Sequence, residues 1–237
     1  MRGRWPVRIE FDGVIVEFVG LPGSGKTTLW RELRESDALG LVAQGHPGGR
    51  GAVVRAGLRY WRAALVALRV LVRSPRSWED KLRAARWFLA TLAHYGVPAE
   101  IVLLDEGLVQ RSFLLFAERE QVDRAVEIER YFNSIPVPDV VIALIVAPAI
   151  CVDRLHLRPR SVPKRFRGLS PEAVTTAFTA GWQMIEGALA ALASSAKPCT
   201  IVRLAADDLD EAKIRLRQDV VPLLRQGSPG RQLGEGG

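Results

Sequence analysis

The clearest chemical pattern in the sequence is the run Gly20-Leu21-Pro22-Gly23-Ser24-Gly25-Lys26-Thr27. Glycines at this spacing let the backbone turn so that successive amide groups point inward at an anion. A helix that begins directly after the run adds the positive end of its dipole. In such a loop the lysine reaches the β- and γ-phosphates, and the Thr27 hydroxyl coordinates Mg²⁺. The pattern predicts a phosphate loop that binds a nucleoside triphosphate, ATP being expected, through Gly20, Pro22, Gly23, Ser24, Gly25, Lys26, Thr27 and Thr28.

A pair of acids follows another apolar run, at Asp105 and Glu106. In proteins with a phosphate loop, an acid at a strand end lies beside the metal, so Asp105 would accept a hydrogen bond from a magnesium-bound water. Glu106 would orient or deprotonate the group that is phosphorylated. Arg111, one helical turn further on, would direct its guanidinium at the acceptor. The alternative is two surface acids at a strand end and an arginine on a helix surface.

Basic residues crowd a third segment, which also contains Pro159 and Pro163: Arg154, Arg158, Arg160, Lys164, Arg165 and Arg167. A mobile cationic loop can neutralise the charge that develops during phosphoryl transfer and exclude water. We predict a lid at about residues 158–168, in which Arg158 and Arg160 stabilise the transferred group, with Arg154 at the nucleotide. The sequence does not distinguish which arginine reaches the γ-phosphate, and a basic surface loop is the alternative.

Buried strands must position these motifs. Apolar runs predict strands at residues 14–19, 101–104, 140–146 and 200–204, with a further short strand around 41–44. Residues 7–11 and 14–19 flank Asp12-Gly13 and predict an N-terminal β-hairpin. Helices are predicted at residues 26–35, 52–95 with a break at Ser74-Pro75 and an N-cap at Ser77, 108–133, 149–157, from Pro171 onward after an N-cap at Ser170, and 207–224. Strands alternating with helices imply a mostly parallel sheet with its ligands at the carboxyl ends of the strands.

Length and composition favour a single domain. The chain has 237 residues, 48% of them apolar, and two cysteines without metal-ligand spacing. We predict one domain over residues 1–225 and a disordered tail at 226–237, which is rich in Gly, Ser and Pro. The sequence shows no signal peptide and no membrane-spanning run, so a cytoplasmic location is expected.

The net charge of +7 suits a phosphate-rich ligand. Part of it is a stripe with helical spacing: Arg55, Arg59, Arg62, Arg69 and Arg73. Such a helix can lie on an anionic membrane or bind a polyphosphate acceptor, but it is more often a solvated face over a buried one. We therefore do not favour membrane contact, consider nucleic acid an unlikely partner, and leave a homodimer open.

The motifs in this order resemble the nucleoside and nucleoside-monophosphate kinase branch of P-loop proteins, particularly thymidylate kinases. The resemblance is carried by Phe18-Val-Gly-Leu-Pro-Gly-Ser-Gly-Lys-Thr-Thr28, by Leu104-Asp-Glu-Gly107 with Arg111, and by Pro138-Asp-Val-Val-Ile142 leading to Asp153-Arg154. It implies an α/β three-layer P-loop NTPase fold with a mostly parallel five-stranded core sheet. It also implies ATP, Mg²⁺ and an acceptor site between the phosphate loop and the helices at 52–95.

The sequence thus predicts an ATP- and Mg²⁺-dependent kinase of a small molecule, with a nucleoside or nucleoside monophosphate as the first candidate acceptor. A sugar, an antibiotic or another non-nucleotide acceptor is the alternative within kinases. From other classes, an ATPase or switch module would use Glu106 to activate water, and a nucleic-acid-binding ATPase would use the arginine stripe.

Overall fold

The computed structural model describes residues 14–36, 49–74, 77–96, 101–116, 121–157, 166, 168–195 and 197–227. Four strands in this part of the chain form a single parallel sheet in the order β2-β1-β3-β4. They are β1 (Val14–Val19), β2 (Ile101–Leu104), β3 (Val140–Ile145) and β4 (Thr200–Ala205). The first three are almost continuously apolar and buried, as expected of parallel strands covered on both faces.

Ten α-helices in the described ranges surround the sheet. They are α1 (Lys26–Arg34), α2 (Gly49–Arg59), α3 (Trp61–Arg73), α4 (Trp78–His94), α5 (Leu108–Phe116), α6 (Gln121–Ser134), α7 (Pro148–His156), α8 (Pro171–Ala193), α9 (Leu209–Arg215) and α10 (Val221–Gly227). Their mutual contacts form two groups. In one, α1 meets α9; in the other, α8 meets α5, α6 and α7, while α2, α3 and α4 pack on one another and on α5 and α6. This is the layered α/β arrangement that alternating strands and helices predict.

The sheet has four strands in the described residues, not the five that were expected. The fifth candidate, at residues 41–44, lies outside the described residues, as does the first arm of the N-terminal hairpin. Of the predicted lid, only Phe166 and Gly168 are described. Phe166 is buried, with its ring centroid 5.1 Å from that of Phe178 in α8.

Several helix boundaries follow from local chemistry. The predicted N-caps are confirmed: the Ser77 and Ser170 hydroxyls accept from the N–H groups of Asp80 and Ala173, each at 3.2 Å. The region at 52–95 is wrong in one respect, because a further break at Tyr60 separates α2 from α3. The Tyr60 hydroxyl donates to the Tyr95 carbonyl at 3.4 Å, so a contact between distant segments accompanies this break.

Two other predicted helices are also divided. The segment at 108–133 forms α5 and α6, and the last helix contains a π-helical turn, Leu216–Val220, between α9 and α10. Pro222 has no N–H to donate back along this helix, which accounts for an irregular ladder there. Because α10 continues to Gly227, Gln226 is helical rather than the start of the tail. Among the described residues, no helix has the length and apolar character needed to cross a membrane.

Candidate active site

The loop between β1 and α1 has a backbone that depends on glycine. Gly23 and Gly25 have φ angles of +89° and +95°, a region that other residues rarely adopt. A Cβ on Gly23 would lie 2.2 Å from the carbonyl oxygen of Cys151, and one on Gly25 would lie 2.4 Å from Cδ2 of Leu209. The loop is therefore shaped both by its own conformation and by close packing against α7 and α9.

The N-terminal end of α1 faces the loop. Its N-cap is Gly25, so no capping side chain fills this end, and no acid lies in the first turn. Lys26 is buried, and its Nζ donates to the carbonyl oxygens of Gly20 at 2.7 Å and Leu21 at 3.0 Å. The Ser24 hydroxyl is buried with no hydrogen-bond partner among the described residues, and Thr28 is exposed in the first turn. Lysine, hydroxyl and helix terminus together form a site suited to phosphate.

Thr27 and Asp105, which the sequence assigned to the metal, are in direct contact. The Thr27 hydroxyl donates to Oδ2 of Asp105 at 2.9 Å. The other carboxylate oxygen, Oδ1, is buried and has no hydrogen-bond partner in the described ranges. Burial raises the pKa of Asp105, and the hydrogen bond from Thr27 and the charge of Lys26 partly oppose this increase. A carboxylate oxygen with no partner beside a hydroxyl suits Mg²⁺ or one of its bound waters.

This donor set suits magnesium held jointly with a nucleotide. No group of three His, Cys, Asp or Glu side chains in the described residues could hold a metal alone. Mg²⁺ is usually bound through one or two carboxylates together with phosphate oxygens, rather than in an all-protein cage. When bound, it would neutralise charge on the transferring phosphoryl group.

Glu106, the residue that follows Asp105, forms an ion pair with Arg111. Nη2 of Arg111 lies 2.9 Å from Oε2 of Glu106, with the arginine mostly buried and the glutamate about half exposed. The Arg111 guanidinium also stacks 5.3 Å from the ring centroid of Trp87, a half-exposed residue of α4. Nothing in the local sequence of Trp87 links it to Arg111, so only the structure brings the two residues together.

A buried carboxylate that the sequence analysis missed positions this segment. Glu17 of β1 accepts from the N–H groups of Val109 at 3.1 Å and Gln110 at 2.6 Å, and from the Tyr95 hydroxyl at 3.3 Å. Burial raises the pKa of Glu17 to about 7, although these hydrogen bonds act in the opposite direction. A single charge inside an otherwise apolar strand was the available signal, because a buried carboxyl needs partners.

The start of α5 is also connected to the phosphate loop. Oε1 of Gln110 accepts from the N–H of Gly20 at 2.9 Å. A Cβ on Gly107 would lie only 2.3 Å from Oε2 of Glu17. Asp105 and Glu106 are thus held at a fixed position relative to β1 and the loop.

Arg154 lies on α7 and binds the segment between β4 and α9. One terminal nitrogen donates to the Ala206 carbonyl at 2.8 Å, and the other donates to the Asp207 carbonyl. The Asp207 carboxylate in turn accepts from the N–H of Ala147 at 3.0 Å. Contact between Arg154 and a nucleotide stays a prediction. Arg158 and Arg160 lie outside the described residues.

Comparison with known proteins gives little further information. No protein-family model matches the chain, and no curated protein matches it. Among solved structures, the chain is similar to deoxyadenosine kinase from M. mycoides with bound dCTP, with 15% identity and a TM-score of 0.47. The match covers 89% of this chain and 100% of that one. Because the identity and the TM-score are this low, the match supports no conclusion about the chain. The fold and the candidate site are therefore described from the sheet order and the loop geometry alone.

Proposed function

We propose that this protein is an ATP- and Mg²⁺-dependent phosphotransferase that phosphorylates a small-molecule acceptor. The observation that carries the proposal is the contact between Thr27 and Asp105, which are 78 positions apart in the sequence. The contact joins a hydroxyl and a partly buried carboxylate beside Lys26, at the end of a glycine-dependent loop. Hydroxyl, carboxylate and lysine are the groups that P-loop enzymes use to hold Mg²⁺ and the β- and γ-phosphates.

The nucleotide half of the proposed mechanism uses the loop. Its backbone amides and Lys26 bind the phosphates, which requires the Lys26 ammonium to turn from the loop carbonyls toward the ligand. Thr27 and Asp105 would hold Mg²⁺ together with the nucleotide, and the ion would neutralise charge on the phosphates. In the proposal, Arg154 contacts the nucleotide. The lid arginines Arg158 and Arg160 stabilise the transferred phosphoryl group.

The acceptor half uses the ion pair. Glu106 accepts the proton of the acceptor hydroxyl or orients the acceptor phosphate, and Arg111 fixes the position of the Glu106 carboxylate. The half-exposed ring of Trp87 stacks on the same guanidinium and provides a flat aromatic surface beside the pair. A planar base stacks well on such a surface, which supports a nucleoside or nucleoside monophosphate as the first candidate.

The test is ATP consumption with Mg²⁺ across a panel of nucleosides, nucleoside monophosphates, sugars and aminoglycosides, with the product masses recorded. We expect ADP formation that depends on one acceptor class, together with a product heavier by one phosphate. Lys26→Ala should abolish transfer because the phosphates lose their cation, whereas Lys213→Ala, at a partly exposed lysine of α9, should retain it. Full activity of Lys26→Ala would refute the phosphate-loop assignment.

Other outcomes would replace the proposal. ATP hydrolysis that no acceptor changes would indicate an ATPase or switch module, in which Glu106 activates water. Hydrolysis stimulated by oligonucleotides, with steep salt dependence, would indicate a nucleic-acid-binding ATPase.

A further inference from the structure

Helix α3 presents four large apolar side chains to solvent. Trp61, Leu65, Leu68 and Val72 recur at spacings of four, three and four, which places them on one helical face. All four are substantially exposed, whereas the buried face is built around Ala63 and Ala67 with Val70 and Leu71. A helix that only covers a domain core shows the opposite pattern, with its large apolar residues inward.

The exposed apolar surface continues onto both neighbouring helices. Val54 and Leu58 of α2 are exposed one helical turn apart. At the other end, Nζ of Lys81 in α4 donates to the Val72 carbonyl at 3.2 Å and lies 5.0 Å from the Trp78 ring centroid. Trp78 itself is exposed. We call the six residues of α2 and α3 the apolar face; they are 42–72% exposed and comprise Val54, Leu58, Trp61, Leu65, Leu68 and Val72.

The segment that carries the apolar face has charge of one sign, and Arg73 near its end lies 3.8 Å from Glu127 of α6. Residues 49–74 contain six arginines and no Asp, Glu or Lys, so they contribute +6 to a chain whose formal net charge is +7. Five of these arginines have a described exposure and all five are exposed: Arg55, Arg59, Arg62, Arg69 and Arg73. On α3, the arginines follow one edge of the apolar face, at the spacing of Arg62, Arg69 and Arg73. The sequence analysis favoured a solvated basic face over buried leucines, but the structure exposes the leucines together with the arginines.

We propose that α2 and α3 dock on an anionic lipid surface, with the apolar face in the headgroup region and the arginines on the lipid phosphates. Exposed Trp and Leu beside a run of arginines is the pattern of helices that lie in a membrane interface. Anionic lipids supply the negative charge that this segment lacks, and each arginine near the surface adds to the attraction.

A second copy of the chain fits this surface less well. In a two-fold dimer the same patch occurs on both subunits, so the arginine-rich segments would face each other. Residues 49–74 contain no acid that could offset this repulsion. An anionic bilayer suits both the apolar face and the arginines, because it combines an apolar interior with a negatively charged surface.

The experiment is co-sedimentation of the full chain with vesicles of phosphatidylcholine containing about 30% phosphatidylglycerol, compared with pure phosphatidylcholine vesicles, at low and high salt. We expect binding to the anionic vesicles that salt weakens, and little binding to the neutral ones. Arg62→Gln/Arg69→Gln and Leu65→Gln/Leu68→Gln should each weaken binding about tenfold or more. The four positions are exposed, so thermal unfolding should be unchanged and should show that both variants are folded.

Two control variants match these changes elsewhere on the surface. Arg215→Gln/Arg225→Gln removes the same charge, and Leu169→Gln/Ile214→Gln removes two leucine-sized residues that are 47% and 55% exposed. Both controls should bind as the wild type does. Equal binding to neutral vesicles, no binding, or unchanged binding of either test variant would overturn the proposal. So would a dimer in sedimentation equilibrium that Leu65→Gln/Leu68→Gln dissociates, because the face would then join two copies of the chain.

Discussion

Asp105 contacts Thr27 through one carboxylate oxygen and buries the other without a hydrogen-bond partner in the described part of the chain. A buried polar atom left without a partner costs about 1–3 kcal/mol. Such a cost at the end of a phosphate loop is expected of a site built for a ligand, because functional residues are often positioned at the expense of stability.

We predict that Asp105→Asn separates function from stability. The amide cannot accept from a metal-bound water as a carboxylate does, so the Mg²⁺ requirement of ATP turnover should rise roughly 10- to 100-fold. The free energy of unfolding should stay equal or increase, because a buried charge is removed. Mg²⁺ titrations of activity and urea unfolding measure the two effects, with Asp219→Asn at an exposed position as the control. An unchanged Mg²⁺ requirement would remove Asp105 from the metal site.

The second prediction concerns the proton acceptor. Glu106→Gln should lower kcat about 10²- to 10⁴-fold while changing the affinity for ATP much less, because the carboxylate acts on the acceptor. Glu129→Gln, at an exposed position of α6, should behave as the wild type. Steady-state kinetics with a binding measurement for ATP gives both quantities, and an unchanged kcat would contradict the assigned role.

At the scale of elements, the segment between β2 and α5 is held by packing against β1. The Glu17 carboxylate accepts hydrogen bonds from the N–H groups of Val109 and Gln110 in the first turn of α5. At this end the positive pole of the helix dipole favours a negative charge. Gln110 extends the same contact to the first residue of the phosphate loop. The acids of the candidate site are therefore positioned by a fully buried side chain of β1.

Gly107→Ala should show how little room this arrangement leaves. The new Cβ would meet the Glu17 carboxylate at 2.3 Å, so either Glu17 or the loop must shift. We expect a destabilisation of about 1–3 kcal/mol and reduced activity. Gly187→Ala, in α8 with no atom within 4 Å of the added Cβ, should instead be neutral or stabilise by up to about 1 kcal/mol. Urea unfolding of the two variants tests this, and equal stability would mean that the Gly107 contact relaxes freely.

At the scale of the whole molecule, Glu17 couples stability to pH. Its pKa is about 7 in the folded chain, against an ordinary value of 4.5. Between these pH values the folded state holds a proton that the unfolded state has released, so stability should decrease as the pH rises from 4.5 to 7. Above pH 7 this contribution should be constant. The total change corresponds to roughly 3 kcal/mol.

Urea unfolding at several values between pH 4.5 and pH 8 measures this dependence. Glu17→Gln should lose the part of the slope that belongs to this carboxyl, because the amide does not titrate. The Glu17→Gln variant should also be less stable than the wild type at the pH where the wild type is most stable. The reason is that the NH₂ group of the glutamine faces the backbone N–H donors of Val109 and Gln110. The same slope in both proteins would show that Glu17 does not carry the pH dependence.

The sequence by itself determined the parts of this protein that local chemistry specifies. Glycines at fixed spacing before a helix specify a tight strand-to-helix loop, and apolar runs specify buried strands, so both were predicted where the structure has them. The caps at Ser77 and Ser170 were predicted for the same reason, since a hydroxyl at a helix start meets the N–H three residues later.

Only the tertiary structure decided which distant residues meet. Three contacts join separate elements in this way. Thr27 donates to Asp105, Trp87 stacks on Arg111, and Glu17 accepts from the N–H of Gln110 in α5. The apolar face was likewise misjudged, because helical spacing separates the two faces of α3 but does not show which one is buried. Burial depends on what packs against the helix, and here Ala63 and Ala67 face the protein together with Val70 and Leu71, while Leu65 and Leu68 remain exposed.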